Sequence, residues 1–153
     1  MRVWRLTKAQ FSPGLDGEGA RLAGGRWNSP GKPVVYCSMH LSLAALEALV
    51  HVTPAMRRRE VFPELRKVGL GIPDDLVLEH WQGTARADHF PTRDESRAFG
   101  DGWLAQARAV GLLVPSAIIP EEPNLLLNPL HPDFPRIAVD SNDVFRFDDR
   151  LIG

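Results

Sequence analysis

An α+β fold of short strands and two or three helices, built as one domain over residues 1–153, is what this sequence predicts. Three observations carry that expectation. The chain holds 13 prolines and 13 glycines in 153 residues, a density that divides it into short elements joined by turns. Between those breaks lie short apolar or alternating runs of strand length. Two longer stretches, at 42–52 and 92–110, carry helix signals instead, and a chain of this length suits a single core.

Each element follows in order. "RVWRL" at 2–6 alternates and predicts a first strand. "SPGLDGEGARLAGG" at 12–25 has five glycines in fourteen residues and reads as a loop or a pair of tight turns. "SPGK" at 29–32 is a candidate type II turn, with Pro30 preset and Gly31 free to take positive φ. "PVVYCS" at 33–38 predicts a strand with Val34, Tyr36 and Ser38 on one side and Val35 and Cys37 on the other. "SLAALEALVHV" at 42–52 predicts a helix capped by Ser42 and closed by Pro54. "RKVGLGIP" and "LVLEHW" read as strands broken at Gly69, Gly71 and Pro73. "TRDE" at 92–95 has the spacing of a capping box. A helix is expected from it to about Val110, weakened by Gly100 and Gly102 and ended by Gly111. "LLVPSAIIP" and "NLLLNP" predict two apolar strands, and "DVFRFDD" a last, alternating one.

Composition narrows the function. The chain is 44% hydrophobic and 24% charged with a formal net charge of −1, which gives no electrostatic case for a polyanion, so direct nucleic-acid binding is not expected. The three arginines at 57–59 are followed by Glu60 and Glu64 and read as a solvated helix end. One cysteine, Cys37, excludes an internal disulfide and fits a reducing compartment. No apolar run reaches the length of a membrane span, and "MRVWRLTKAQ" lacks the core of a signal peptide. A cytoplasmic location is the expectation. The five histidines show no H-E-x-x-H spacing and a lone cysteine cannot anchor a zinc ribbon, so no metal is expected. A G-x-G-x-x-G match starting at Gly17 fails at Leu22, and neither a phosphate-binding P-loop nor a G-x-S-x-G elbow is present. Trp4, Trp27, Trp81 and Trp103 are scattered and read as packing rather than as a base-stacking platform.

Glu47 stands out as the only charge between Leu41 and Val50. On a helix, Leu43, Leu46, Glu47 and Val50 share the spacing of a core-facing stripe. A carboxylate there is costly unless it is paired or lines a cavity. His51, four residues on, is one candidate partner. Upstream, Arg26 follows two glycines, which let backbone approach a ligand closely, and arginine forks onto phosphate or carboxylate. Trp27 and Asn28 flank it. Tyr36 lies on the next strand. Taken singly, each has a structural reading: a paired glutamate, an exposed arginine, a core tyrosine with its hydroxyl satisfied. Together they suit a ligand with phosphates, an aromatic ring and a developing positive charge.

The segments "GEGARLAGGRWNSPGKPVVY", "LEALVH", "GDGWL" at 100–104, "VPSA" at 114–117 and "NLLLNPLHPDF" at 124–134 resemble the RES-domain family, named for its arginine, glutamate and serine. The resemblance spans nearly the whole chain and maps those residues to Arg26, Glu47 and Ser116, with Tyr36 at the family's tyrosine. It implies a toxin of a bacterial toxin–antitoxin pair, with a fold like the diphtheria-toxin type of ADP-ribosyltransferase. It implies NAD as the substrate and an antitoxin with an Xre-like helix-turn-helix part as the partner. On that resemblance Glu47 would stabilise the oxocarbenium ion formed as the nicotinamide–ribose bond breaks. Arg26 would clamp the pyrophosphate or an adjacent carboxylate, with Arg21 as a candidate second clamp, and Tyr36 would stack on nicotinamide or shape its pocket. Asn28 would contact ligand beside Arg26. Ser116 and Asn124 would bond ligand or orient Glu47, and His51 would orient Glu47 or bind a second substrate. Three readings stay open: NAD cleavage by hydrolysis or phosphorolysis, ADP-ribosyl transfer to a protein target, and a non-catalytic binding module of the same fold.

Overall fold

The computed structural model describes residues 1–152. Seven strands form one mixed sheet: β1 (Arg2–Lys8), β2 (Val35–Ser38), β3 (Leu65–Gly71), β4 (Leu78–His80), β5 (Gly111–Pro115), β6 (Pro123–Leu127) and β7 (Ala138–Phe145). Their order across the sheet is β4-β5-β6-β2-β1-β3-β7. β4 and β5 run parallel and every other neighbouring pair is antiparallel. Four α-helices accompany the sheet: α1 (Glu18–Ala23), α2 (Leu41–Val50), α3 (Arg93–Gln106) and α4 (Asp149–Ile152). The α+β class is as the sequence predicts. Among the described residues, no helix is long and apolar enough to cross a membrane.

The join between β2 and β1 sets the architecture. β1 pairs with β3 over all seven of its residues, and β2 pairs with β6 over all four, but β1 and β2 share a single registered pair, Trp4↔Ser38. The sheet is therefore two half-sheets that meet at one point and part on either side of it. α2 packs across β1 and β2 at that junction.

Strand periodicity divides the core as expected. Val35 and Cys37 face a large cluster with Val3, Val68, Leu70, Leu125 and Leu127. Val34 and Tyr36 face the opposite side, with Trp27, Trp103, Leu112, Val114 and Leu126. A third cluster gathers Leu65, Phe147 and Ile152 with Leu6, Ala45, Ala48 and Leu49. The 29–32 turn also forms as read, with Gly31 at φ 97° and the Lys32 N–H donating to Ser29 O at 3.4 Å.

Several local expectations are corrected. Residues 18–23 are a helix, not a loop, because the glycines mostly flank it: Gly17 and Gly24 take positive φ at its two ends and only Gly19 lies inside. α2 starts at Leu41, with His40 at the cap and no side-chain cap bond, so Ser42 is already within the first turn. The stripe of Leu43, Leu46, Glu47 and Val50 is not a core face, since Leu46 and Val50 are exposed. α3 carries the full Thr92–Glu95 capping box but ends four residues before the expected Val110, where Ala107 turns left-handed at φ 48°. Residues 109 and 110 are thereby freed to lead into β5. β3 runs through Gly69 with a bulge against β7, where a side chain would collide with Ser141 Oγ at 2.5 Å. β7 begins at Ala138, before the alternation that signalled it, and ends at Phe145. α1 and α4 are too short for sequence periodicity to register, which is why four helices replace the expected two or three.

Candidate active site

A cleft of about 950 Å³ opens where the half-sheets part, a size typical of small-molecule sites. Its walls come from β1 (Trp4, Arg5), β2 (Tyr36, Ser38), the loop 24–26 and one face of α2. That helical face is Ala44, Glu47, Ala48 and His51, the i, i+3, i+4, i+7 set displaced one position from the stripe read in the sequence. The two alanines leave room beside the carboxylate.

Glu47 is half-buried and fixed through one oxygen. Its Oε1 accepts from Ser116 Oγ–H and from Asn124 Nδ2–H, both at 2.7 Å. Ser116 is fully buried just beyond β5, and its Oγ accepts from the Ile118 and Ile119 N–H groups at 3.1 and 3.2 Å. Asn124 lies on β6. Among the described residues Glu47 pairs with neither His51 nor an arginine, and its Oε2 has no hydrogen bond. His51 caps the C-terminus of α2 and lines the cleft.

The loop opposite is held by Tyr36. Its hydroxyl donates to Asn28 Oδ1 at 2.7 Å and accepts from the Trp27 N–H at 3.1 Å. Burial pushes its pKa up to about 12, so it stays a protonated donor. Asn28 is fully buried, and its Nδ2 donates to Ala20 O and Lys32 O, both at 2.9 Å. Its amide is thus committed to the loop rather than facing the cleft. A side chain at Gly25 would reach the Tyr36 hydroxyl at 2.5 Å, and Gly24 needs its φ of 71°. From the far side α3 presses on the same loop. A side chain at Gly100 would lie 1.7 Å from Trp27 O, and Asp101 accepts from the Ser29 N–H and Oγ–H at 2.9 and 2.5 Å. The "GDGWL" segment is therefore the clamp on this loop.

The loop presents Arg26, exposed at the cleft, with its guanidinium 5.2 Å from the centre of the Phe90 ring. Among the described residues it has no carboxylate partner. Arg21 points elsewhere: it forms a bidentate ion pair with Glu18 on the exposed side of α1 and is not among the cleft residues.

Comparison with known proteins establishes the family. The family model described as "RES domain" matches residues 2–148. The chain belongs to the RES-domain family. This RES domain is 36% identical to "Toxin Res" of Yersinia enterocolitica, covering 99% of each chain. It is 33% identical to the "Prs ADP-ribosylating toxin" of a Sphingobium species, covering 97% of this chain and 95% of that relative. In structure it resembles a chain of the Mycobacterium tuberculosis MbcT–MbcA toxin–antitoxin complex, with TM-score 0.75 and 20% identity over 99% of this chain and 86% of that one. At that identity the likeness speaks for the fold.

One cleft residue of the RES domain escaped the sequence reading. Arg5 lies on β1 between Val3 and Thr7, which are both buried, so it points from the inner face of the strand. Its Nη1 donates to Tyr36 O at 3.1 Å, and its Nε is buried without a partner. Burial pushes its pKa down, against the attraction of Cys37 and Asp16, yet an arginine remains charged. Arg5 is half-buried as a residue, but a guanidinium with its Nε buried and, among the described residues, no carboxylate in contact carries a desolvation cost that a ligand anion would offset. The signal was in the sequence: a charge at the inward position of an alternating apolar strand. Cys37 behind it has its thiol pushed up to about 12 by burial and is inert as a nucleophile.

Proposed function

We propose that this RES domain is the toxin of a toxin–antitoxin pair and that it consumes NAD by breaking the nicotinamide–ribose bond. The observation that carries the reading is a carboxylate held through one oxygen, in a cleft that is also lined by a half-buried arginine without a carboxylate partner among the described residues. NAD brings what each lacks: a pyrophosphate for the cations and a ribose whose C1′ turns cationic as the bond breaks.

In the reaction the C1′–N bond breaks with its electron pair going to the nicotinamide ring, which leaves neutral. Positive charge develops at C1′ and the ring oxygen, as in glycoside cleavage. Glu47 Oε2 faces that charge, while Ser116 and Asn124 hold Oε1. A preorganised charge of this kind does not have to reorient as the barrier is crossed. Arg5 and Arg26 bind the pyrophosphate from the inner and outer ends of the cleft. The Tyr36 ring shapes the nicotinamide pocket and its hydroxyl, with Asn28, positions the Arg26 loop. His51 stands at the cleft edge, where an acceptor would enter. Arg21 serves α1 rather than the ligand.

Water or phosphate as acceptor gives NAD degradation, the leading reading. ADP-ribosyl transfer to a protein is the second, favoured by the name of the Sphingobium relative. The partner is an antitoxin, by analogy with the assembly that holds the structural neighbour; that it carries an Xre-like helix-turn-helix part is what the family resemblance implies. The test follows NAD labelled on its adenylate half in cell extract, with wild type or Glu47→Gln, with and without phosphate. Label in small molecules with wild type alone supports degradation, and phosphate dependence names the acceptor. Label on a protein band supports transfer. Label remaining in NAD refutes both and leaves a non-catalytic binding module.

A further inference from the structure

We infer that Ser38 is a positioning residue for Glu47, acting through the side-chain amide of Asn124. The inference rests on the assignment of Glu47 as the carboxylate that faces the ribose.

Ser38 is the last residue of β2 and is 4% exposed. Its backbone is the one place where the half-sheets join, registered with Trp4 on β1 and with Asn124 on β6. Its Oγ–H donates to Asn124 Oδ1 at 2.7 Å, and Asn124 Nδ2–H donates to Glu47 Oε1 at 2.7 Å. The order of donors is forced. An ionised carboxylate only accepts, so Asn124 must turn its NH₂ toward Glu47 and its oxygen toward β2. That oxygen then needs a donor, and the Ser38 hydroxyl is the group in contact with it.

The consequence reaches the carboxylate. Asn124 on β6 and Ser116 just beyond β5 hold the same oxygen of Glu47, so together they fix the carboxylate plane and leave Oε2 to the ligand. Without the Ser38 hydroxyl, Asn124 loses the bond that locks its amide plane, and Glu47 keeps only the Ser116 anchor. Ser38 lines the cleft, but its hydroxyl is committed to Asn124 and makes no hydrogen bond to Glu47, so its loss should lower the rate of bond cleavage more than it weakens ligand affinity. Ser38 also ties the carboxylate to the pivot of the two half-sheets, so that Glu47 is registered against β1, which carries Arg5.

Ser38→Thr and Ser38→Val test this, because the two side chains match in shape and differ by the hydroxyl. Two quantities are read: kcat and KM for NAD, and the solvent-exchange rate of the Asn124 Nδ2 protons by NMR. The threonine variant should behave as wild type. The valine variant should show kcat about tenfold lower, the scale of one lost buried hydrogen bond, with KM within twofold and markedly faster Nδ2 exchange. Equal exchange in the two variants, or equal kcat, overturns the inference. Should buried valine unfold the chain, Ser38→Ala replaces it, since that change only removes an atom. A wild type that leaves NAD intact refutes the proposed reaction, and the exchange comparison still decides the link from Ser38 to Asn124.

Discussion

Tyr36→Phe isolates the hydroxyl that ties the Arg26 loop to the sheet. The change keeps the ring, and with it the shape of the cleft. It strips the donor from Asn28 Oδ1 and the acceptor from the Trp27 N–H, at 2.7 and 3.1 Å. Asn28 is 0% exposed and Trp27 2%, so water does not readily replace the lost oxygen. An unmade buried polar group costs about 1–3 kcal/mol, and two of them at the lower half of that range cost about 3 kcal/mol together. A domain of this size loses roughly 2–4 °C of Tm per kcal/mol, so thermal unfolding should shift down by about 6–12 °C. The protein should remain folded at 25 °C, given a stability of about 5–15 kcal/mol for natural domains. With the loop loosened, the KM for NAD should rise more than kcat falls. Differential scanning calorimetry and steady-state kinetics read both. A Tm within about 1 °C of wild type, with an unchanged KM, would refute the reasoning that this hydroxyl holds the loop.

Three further expectations follow from other residues. Arg5→Met removes a half-buried cation whose Nε is buried without a partner, so Tm should stay about level while NAD affinity by calorimetric titration falls at least about tenfold, the loss of one charged hydrogen-bonded contact; a variant that binds normally contradicts the anion role. Gly100→Ala puts a methyl group where Trp27 O lies 1.7 Å away, so α3 must lift off the loop, with stability falling by about 1–3 kcal/mol or more in denaturant titration; a neutral outcome contradicts the clamp. Cys37 and Tyr36 both have folded pKa values pushed up to about 12 by burial, from about 8.5 and about 10 in exposed peptides. Unfolding then releases protons above the lower values, so stability should be full below about pH 8.5 and fall toward pH 12. Cys37→Ala should flatten the first part of that decline, and identical curves would contradict it.

How far the sequence reaches can be read from single residues. The two faces of β2 were legible because Val34 and Tyr36 alternate with Val35 and Cys37, and both sides are buried. The capping box of α3 was legible because Thr92 and Glu95 satisfy each other locally. Glu47 was conspicuous as a lone charge, but its partners were not visible from local spacing: Ser116 and Asn124 are 69 and 77 residues away, and only the strand order brings them together. Near-uniform apolarity also hid which face of α2 turns to the core, because Ala44 and Ala48 are packing residues and line the cleft beside the carboxylate as well. The glycines of 12–25 suggested a loop, since a sequence does not show whether a glycine lies within a turn or at the end of a helix. Arg5 escaped although it stands at the inward position of an alternating strand, between Val3 and Thr7, because that run also opens on Arg2 and a second arginine in it looked ordinary.

The most direct measurement is nicotinamide release in a single turnover by Glu47→Gln, alongside its NAD dissociation constant. Glutamine keeps the bonds from Ser116 and Asn124 to Oε1 and removes the charge. The expected result is affinity within about threefold of wild type and release slower by on the order of a thousandfold, the scale of a lost electrostatic stabiliser. Release near the wild-type rate, with NAD bound normally, would contradict the role of Glu47 and with it the proposed reaction.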